Sequence, residues 1–448
     1  MGEGLSHPVL AHPAQLFDAA LRAHQAGRAE EAALLYRQVL AADARNAGAL
    51  SNLGLLLAEH GRHDEAEGLL REATRVAPGY AGGFVNLALL LHDRQRHDEA
   101  IAACEMGLAA APGHRTLQNA LVSSLASAGR HDEAIAHLTR MVAAHPGYAK
   151  GHTLLGTIYA KTGRPDEAVA AFEKAARAQK GDASPLVSAA ECLLMHGRAE
   201  DALKYLDRAL KVRGWEVRAI ALKTLALADA GRVADERWLA DPETFVHVVR
   251  LADFGYSAPD AASLNRRLSA FASHEPSMKE DPEEYATAKG WHSTTNLAES
   301  GDPAIEELKR FIDWAFHERR RRLAEIDPAH PFARHAPAKY HIDMWAVRMQ
   351  DSGKMLPHIH ISGWLSGAYY VDVPSVVDDP AAGEAGWIKF GPPRADIRLR
   401  RETLQRTLKP EPGLMATFPS YIWHDTVPLP PENIEQRLVL AYDLNPVD

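Results

Sequence analysis

Residues 357–370 read PHIHISGWLSGAYY, and two imidazoles in it, His358 and His360, stand two positions apart ahead of a strand-like run. Side chains alternate on an extended segment, so a spacing of two turns both rings to one face, as a strand presents ligands to a metal ion. The same alternation separates Tyr369 from Tyr370, so that one faces inward and the other packs outside. A literal His-x-Asp occurs earlier, at His341 and Asp343, but a site built there would leave HIHIS without a role. Asp425, adjacent to His424, points to the opposite face of an extended segment and makes a poor ligand. His292, in GWHSTTNL, could face the site entrance, but a hydrogen-bonded loop histidine is the plainer reading.

Rings held in fixed directions need strands behind them, and the C-terminal third supplies strand patterns in series. YHIDMWAVRM, HIHISGW, LSGAYYVDVP, GWIKFGPP, GLMATFPSYIW and RLVLAYDLNP are short β-branched and aromatic runs separated by Gly, Pro and Asp turns. Six such runs predict a barrel or jelly roll. Between about 241 and 340 the pattern mixes loops with short helical stretches such as ASLNRRLSAFASHE, which read as helical support for the sheet. The run Arg319 to Arg322 lies in one of these stretches and reads as a solvated helix face.

The first half is built differently. Gly27, Gly61, Gly129, Gly163, Gly197 and Gly231 fall on a 34-residue grid, with Gln95 at the one missing node. Five places after the first six nodes stand Ala32, Ala66, Ala100, Ala134, Ala168 and Ala202, while Pro78, Pro112 and Pro146 keep the same period. Glycine permits a tight turn between two helices, alanine lets them approach closely, and proline ends the second helix. A segment such as NLGLLLAEHGRHDEAEGLLREATRVAP resembles the tetratricopeptide repeat, a helix-turn-helix unit of 34 residues. At the seventh node the alanine is replaced by Glu236, which marks a degenerate repeat or a cap. His63, His97 and His131 recur at one repeat position and read as polar turn residues rather than as a metal site. Stacked repeats form a concave groove, which implies a peptide or protein partner, although the groove could serve a homodimer instead.

Composition narrows the function classes. The 448 residues are 46% hydrophobic and 24% charged, with a formal net charge of −9, so phosphate-driven nucleic-acid binding is not expected. Two cysteines, Cys104 and Cys192, sit within helical patterns and read as buried apolar residues of a reducing compartment. Neither a basic-then-apolar leader nor a run of about 18 apolar residues is present, and the expectation is a cytoplasmic protein without membrane contact.

HIHISGWLSGAYYV, GWIKFGPPR, PGLMATFPSYIWHDTVP and RLVLAYDL, in that order and spacing, resemble the core strands of Fe(II)- and 2-oxoglutarate-dependent oxygenases, in particular an oxygenase family often attached to tetratricopeptide repeats. The resemblance covers about the last 200 residues and is sharpest in the last 110. It implies an α+β multidomain chain: an α-solenoid of six to seven repeats over 13–240, then a double-stranded β-helix (jelly-roll) domain over 241–448, with core strands from about 338. The family pattern, His-x-Asp on one strand and a distal His near the end of the fold, places ligands at His358 and His424. His360 stands where the carboxylate belongs; it is either a third ligand or a residue hydrogen-bonded nearby, and some members of the superfamily lack the carboxylate. Arg437, 13 residues past His424, falls where the family has an arginine for the distal carboxylate of 2-oxoglutarate, a task that suits the planar guanidinium fork. A salt bridge to Glu432 or Glu435 is the plainer alternative, but an arginine within an apolar strand is expensive to bury without an anion. Tyr369 or Tyr370 could bond the same carboxylate, and Ser420 and Ser366 are weaker polar candidates. The resemblance thus implies hydroxylation, with Fe(II) and 2-oxoglutarate, of a peptide or protein held by the repeats. Two rivals stand beside it: a repeat scaffold without turnover, and a cupin-like three-histidine enzyme that does not use 2-oxoglutarate.

Overall fold

The structure, a computed structural model, describes residues 13–282 and 286–447. It forms two compact units, one reaching to Gly163 and the other beginning at Arg164. In the first unit the 34-residue grid becomes helix pairs: Pro13–Gln25 with Ala29–Ala42, Ala47–Glu59 with His63–Val76, Ala81–Asp93 with His97–Ala110 and Arg115–Ser127 with His131–Ala144, then Ala149–Lys161. The nodes turn as their spacing requires, with Gly27, Gly61 and Gly129 at φ of 71°, 76° and 75°; Gln95 takes the same left-handed turn at 61° despite its Cβ. Ala32, Ala66, Ala100 and Ala134 have no exposed surface, so a larger side chain there would push the paired helices apart. Cys104 is buried, and burial pushes its thiol up to about 12. The recurring His63, His97 and His131 do not gather into a metal-binding group among the described residues.

The second unit opens with the remaining repeat helices, Pro165–Ala178, Ser184–Met195, Ala199–Val212, Val217–Asp229 and the eight-residue Val233–Ala240. The first helices of the last two repeats, 184–195 and 217–229, touch one another and so form the inner wall of this part of the solenoid.

The strands follow: β1 (His247–Arg250), β2 (Met278–Glu280), β3 (Thr287–Ser293), β4 (Tyr340–Met355), β5 (Leu365–Asp372), β6 (Ile388–Phe390), β7 (Arg406–Leu408), β8 (Leu414–Pro419), β9 (His424–Thr426) and β10 (Arg437–Pro446). All pairings are antiparallel, in a seven-stranded sheet ordered β1-β8-β5-β10-β4-β3-β2 and a three-stranded sheet ordered β7-β6-β9. This is an antiparallel domain of jelly-roll type following a tetratricopeptide-type solenoid. Register sorts the faces of the large sheet: Ala441 lies opposite Trp345 and Ala368, and Val439 opposite Val347 and Tyr370, so these residues share the inner face. On the outer face, Tyr369 donates to Asn265 of the helix Ala258–Ser273 and packs edge-on against Phe311 of the helix Pro303–Arg322. Among the described residues no helix is long and apolar enough to cross a membrane.

Two expectations need correction. HIHISGW is not a regular strand: it makes a single β-bridge, His358 with His424, because the chain is crossing from β4 to β5 and its backbone bonds go to three separate places, His424, Ser420 and Leu444. Arg319 is not solvated. It is 3% exposed, donates to the Phe245 carbonyl at 3.0 Å and lies over the Phe332 ring, while Arg320 to Arg322 face water.

Candidate metal centre

The site lies where the inner face of the large sheet meets β6 and β9. The bridge that aligns His358 with His424 consists of two backbone hydrogen bonds, His358 N to His424 O at 3.0 Å and the reverse at 3.1 Å. His360 is fixed by its own N–H, which donates to the Ser420 carbonyl at 3.0 Å. The ring centroids stand 4.2 Å (His358–His424), 5.2 Å (His358–His360) and 5.0 Å (His360–His424) apart. One ligand atom from each lies within 4.8 Å of the others.

Each Nδ1 is already occupied. His358 Nδ1 donates to the Leu356 carbonyl at 2.8 Å, His424 Nδ1 to the Ile422 carbonyl at 3.0 Å, and His360 Nδ1 to the Asp443 carboxylate at 2.6 Å. Carbonyls and carboxylates only accept, so each Nδ1 carries a proton, and Nε2 is the nitrogen each ring has left to offer a metal. The Nε2 atoms of His358 and His360 face each other at 3.3 Å. Burial, followed by the neighbouring imidazoles, depresses His358 to about 3 and holds His424 well below its usual value. Three imidazole nitrogens converging within 4.8 Å fit a divalent cation, and a set that covers one side of an ion suits iron or zinc.

The carboxylate that the ligand set lacks stands behind it. Asp443 of β10 accepts from His360 and, at 2.6 Å, from Ser366 Oγ, which lies 2.8 Å from Ser420 Oγ. Such a partner fixes the ring and raises its basicity. Asp443 is the residue that inspection of the sequence missed. Its signal is a lone acid in RLVLAYDL, six residues from Arg437 and therefore on the same face.

The other candidates separate clearly. Arg437 lines the same narrow cleft as the three histidines, with Trp345, Val439 and Phe418 among the apolar walls. It is 3% exposed, its Nη1 meets the Met349 sulfur at 3.6 Å, and its guanidinium carbon stands 5.3 Å from the centre of the Tyr370 ring. Among the described residues no carboxylate pairs with it; Glu435 instead accepts from the Ser375 N–H. Burial raises the Tyr370 phenol, partly offset by Arg437. Tyr369 faces the helices and stays away from the cleft, and Ser420 lies behind His360. His341 and Asp343 form an exposed pair 3.6 Å apart, and Asp425 faces Lys389 across the β6–β9 pairing. His292 stacks on Trp345 and bonds the Ser293 carbonyl at 2.6 Å without joining the three-histidine group.

Comparison with known proteins agrees with this arrangement. A family model described as "Putative 2OG-Fe(II) oxygenase" matches residues 343–443, and tetratricopeptide-repeat models match 23–83 with 125–184 and 68–115 with 156–216. The chain carries tetratricopeptide repeats and an oxygenase domain of that family together. Among solved structures, YrrB, a repeat protein described as having an unusual peptide-binding site, is 20% identical, with 42% of this chain and 98% of that one covered at a TM-score of 0.35. PilW, a type IV pilus biogenesis factor, is 19% identical over 46% and 96% at 0.40. Pseudomonas aeruginosa pilF is 22% identical over 44% and 88% at 0.35. No curated protein matches the chain. The family match and the three-histidine site support an oxygenase-like role with iron.

Proposed function

We propose that this protein is an Fe(II)- and 2-oxoglutarate-dependent dioxygenase that hydroxylates a peptide or protein recruited by its repeats. The observation that carries the reading is the pairing, in one cleft, of three converging imidazole nitrogens with a buried guanidinium that has no acid partner among the described residues. His358, His360 and His424 would hold the metal. Arg437, with Tyr370 beside it, would take the distal carboxylate of the co-substrate, since a buried cation in apolar surroundings is stabilised by an anion. The chemistry supplied once both are bound is oxidative decarboxylation of 2-oxoglutarate to succinate and carbon dioxide, coupled to insertion of the second oxygen atom into a C–H bond. The chain's own contribution is positional: Asp443 and two carbonyls set the rings, and Trp345 and Phe418 give the cleft apolar walls.

Residues 13–240 would act as the recruiting solenoid and 241–448 as the oxygenase domain, in a cytoplasmic setting. Succinate formation by the iron-loaded protein, with and without candidate peptides, tests the assignment; a fully metallated protein that consumes no 2-oxoglutarate under any condition refutes it. The ligand set without a carboxylate favours one second reading, a cupin-like enzyme that does not use 2-oxoglutarate. Arg437→Ala separates the two, because only the first reading requires that arginine.

A further inference from the structure

β6 and β7 pair directly, Ile388 opposite Leu408 and Phe390 opposite Arg406, so a hairpin turn of roughly two to five residues would join them. The chain instead runs through residues 391–405, GPPRADIRLRRETLQ, without regular secondary structure. That excursion goes to the inner wall of the last two repeats. Arg394 Nη2 donates to Glu191 at 2.7 Å, on the helix Ser184–Met195. Arg400 meets Asp229, at the end of the helix Val217–Asp229, through its backbone N–H at 2.5 Å and its Nη2 at 2.9 Å. Leu404 N donates to Glu236 at 2.7 Å, which accounts for an acid where the other repeats carry alanine. Ile397 is 2% exposed within the apolar core. The Asp229 side chain is 1% exposed, and a carboxylate so buried requires a cation.

The excursion also reaches the candidate metal centre. Gly391 N donates to the Trp423 carbonyl at 2.7 Å, and Trp423 Nε1 donates to the Ala221 carbonyl of the same repeat helix at 3.0 Å. Trp423 directly precedes His424.

We propose that the inner face of the last two repeats is a binding site for an extended, arginine-bearing peptide, that its resident ligand is this chain's own segment 391–405, and that this seating fixes His424 through Trp423. The segment occupies this face of the last two repeats in cis, so a partner that binds there must displace it. Only the statement about His424 as a ligand rests on the proposed metal centre.

Two experiments on the full chain test this. In the first, residues 392–402 are replaced by a glycine-serine linker of equal length, and a labelled synthetic peptide of residues 392–405 is titrated. The linker variant should bind the peptide at least about tenfold more tightly than the wild type, whose site is already filled at a high effective concentration. Adding Glu191→Gln and Asp229→Asn should reverse the gain. Equal binding to both proteins, or no binding to a linker variant that keeps its helical circular dichroism, overturns the proposal.

The second needs no loop replacement. Asp229→Asn in the otherwise intact chain should speed amide hydrogen exchange over 391–405 and 421–426 while residues 184–212 exchange as before; unchanged exchange over 391–405 overturns the proposal. Cobalt(II) affinity measured on the same variant should fall. Faster exchange with unchanged cobalt affinity would refute the link to His424 and leave the self-bound segment standing, whereas a wild type that binds no divalent metal would count against the metal centre alone.

Discussion

Asp443→Asn isolates the contribution of the acid behind the ligand set. Asparagine keeps the shape and can still accept from the His360 Nδ1–H and from Ser366, so the change removes charge rather than packing. Both partners are nearly buried, with side-chain exposures of 7% for His360 and 12% for Asp443, so solvent screens the loss little. A charge-assisted hydrogen bond contributes about 1.5–3 kcal/mol and a neutral one about 0.5–1.5 kcal/mol, a difference of about 1–2 kcal/mol. Carried into metal binding, that is about 5- to 30-fold in affinity, overlapping the roughly 10- to 100-fold usual for a lost partner of a ligand histidine. Competition between the apo-protein and a chelator of known cobalt(II) affinity reads this directly, with circular dichroism confirming the fold. Affinity within about twofold of the wild type would show that the carboxylate does not act on a bound metal, and that His360 is held for structural reasons only.

Arg437→Met should abolish 2-oxoglutarate binding and yet raise the melting temperature of the apo-protein, because it removes a buried charge without an acid partner from among Met349 and Tyr370; even buried ion pairs, when replaced by apolar groups, often give about 1–4 kcal/mol of added stability. A lower melting temperature would contradict the unpaired state inferred for this arginine. His247 and His292 are each pushed down to about 4, first of all by burial, so the unfolded chain takes up their protons before the folded one does. Their stabilisation is complete above about pH 6.5 and falls towards pH 4, on the order of 2 kcal/mol each by pH 5, and melting curves at pH 7 and 5 should show it. The opposite trend would mean that these rings titrate in contact with water. Gly363→Ala would place a Cβ 2.5 Å from Ser420 Oγ, so a loss of about 1–3 kcal/mol is expected by urea unfolding, together with weaker metal binding through displaced Ser420 and His360.

How far sequence leads to structure depended on how many constraints a pattern carried. The repeat grid was legible because a node and an alanine five places later each have a physical requirement, so that even Gln95 at the missing node could be placed. The three histidines were legible by type and order, while their local geometry was not: period-2 reasoning supposed a strand at HIHIS, where the rings converge through one bridge and a crossover. β1 and β3 were missed because one is four residues long and the other is broken by a register shift next to Lys289, which sits at φ 55°. Tyr369 and Tyr370 alternate as expected, but only packing against Asn265 or beside Arg437 tells which is which. Arg319 and segment 391–405 escaped because runs of arginine ordinarily mean solvent, and here their partners lie far away in sequence.

Anaerobic addition of 2-oxoglutarate to the Fe(II)-loaded protein reads out whether the co-substrate binds beside the three histidines. A visible charge-transfer band should appear, saturate with the co-substrate and be lost in Arg437→Ala; an iron-loaded protein that develops no such band contradicts the proposed oxygenase.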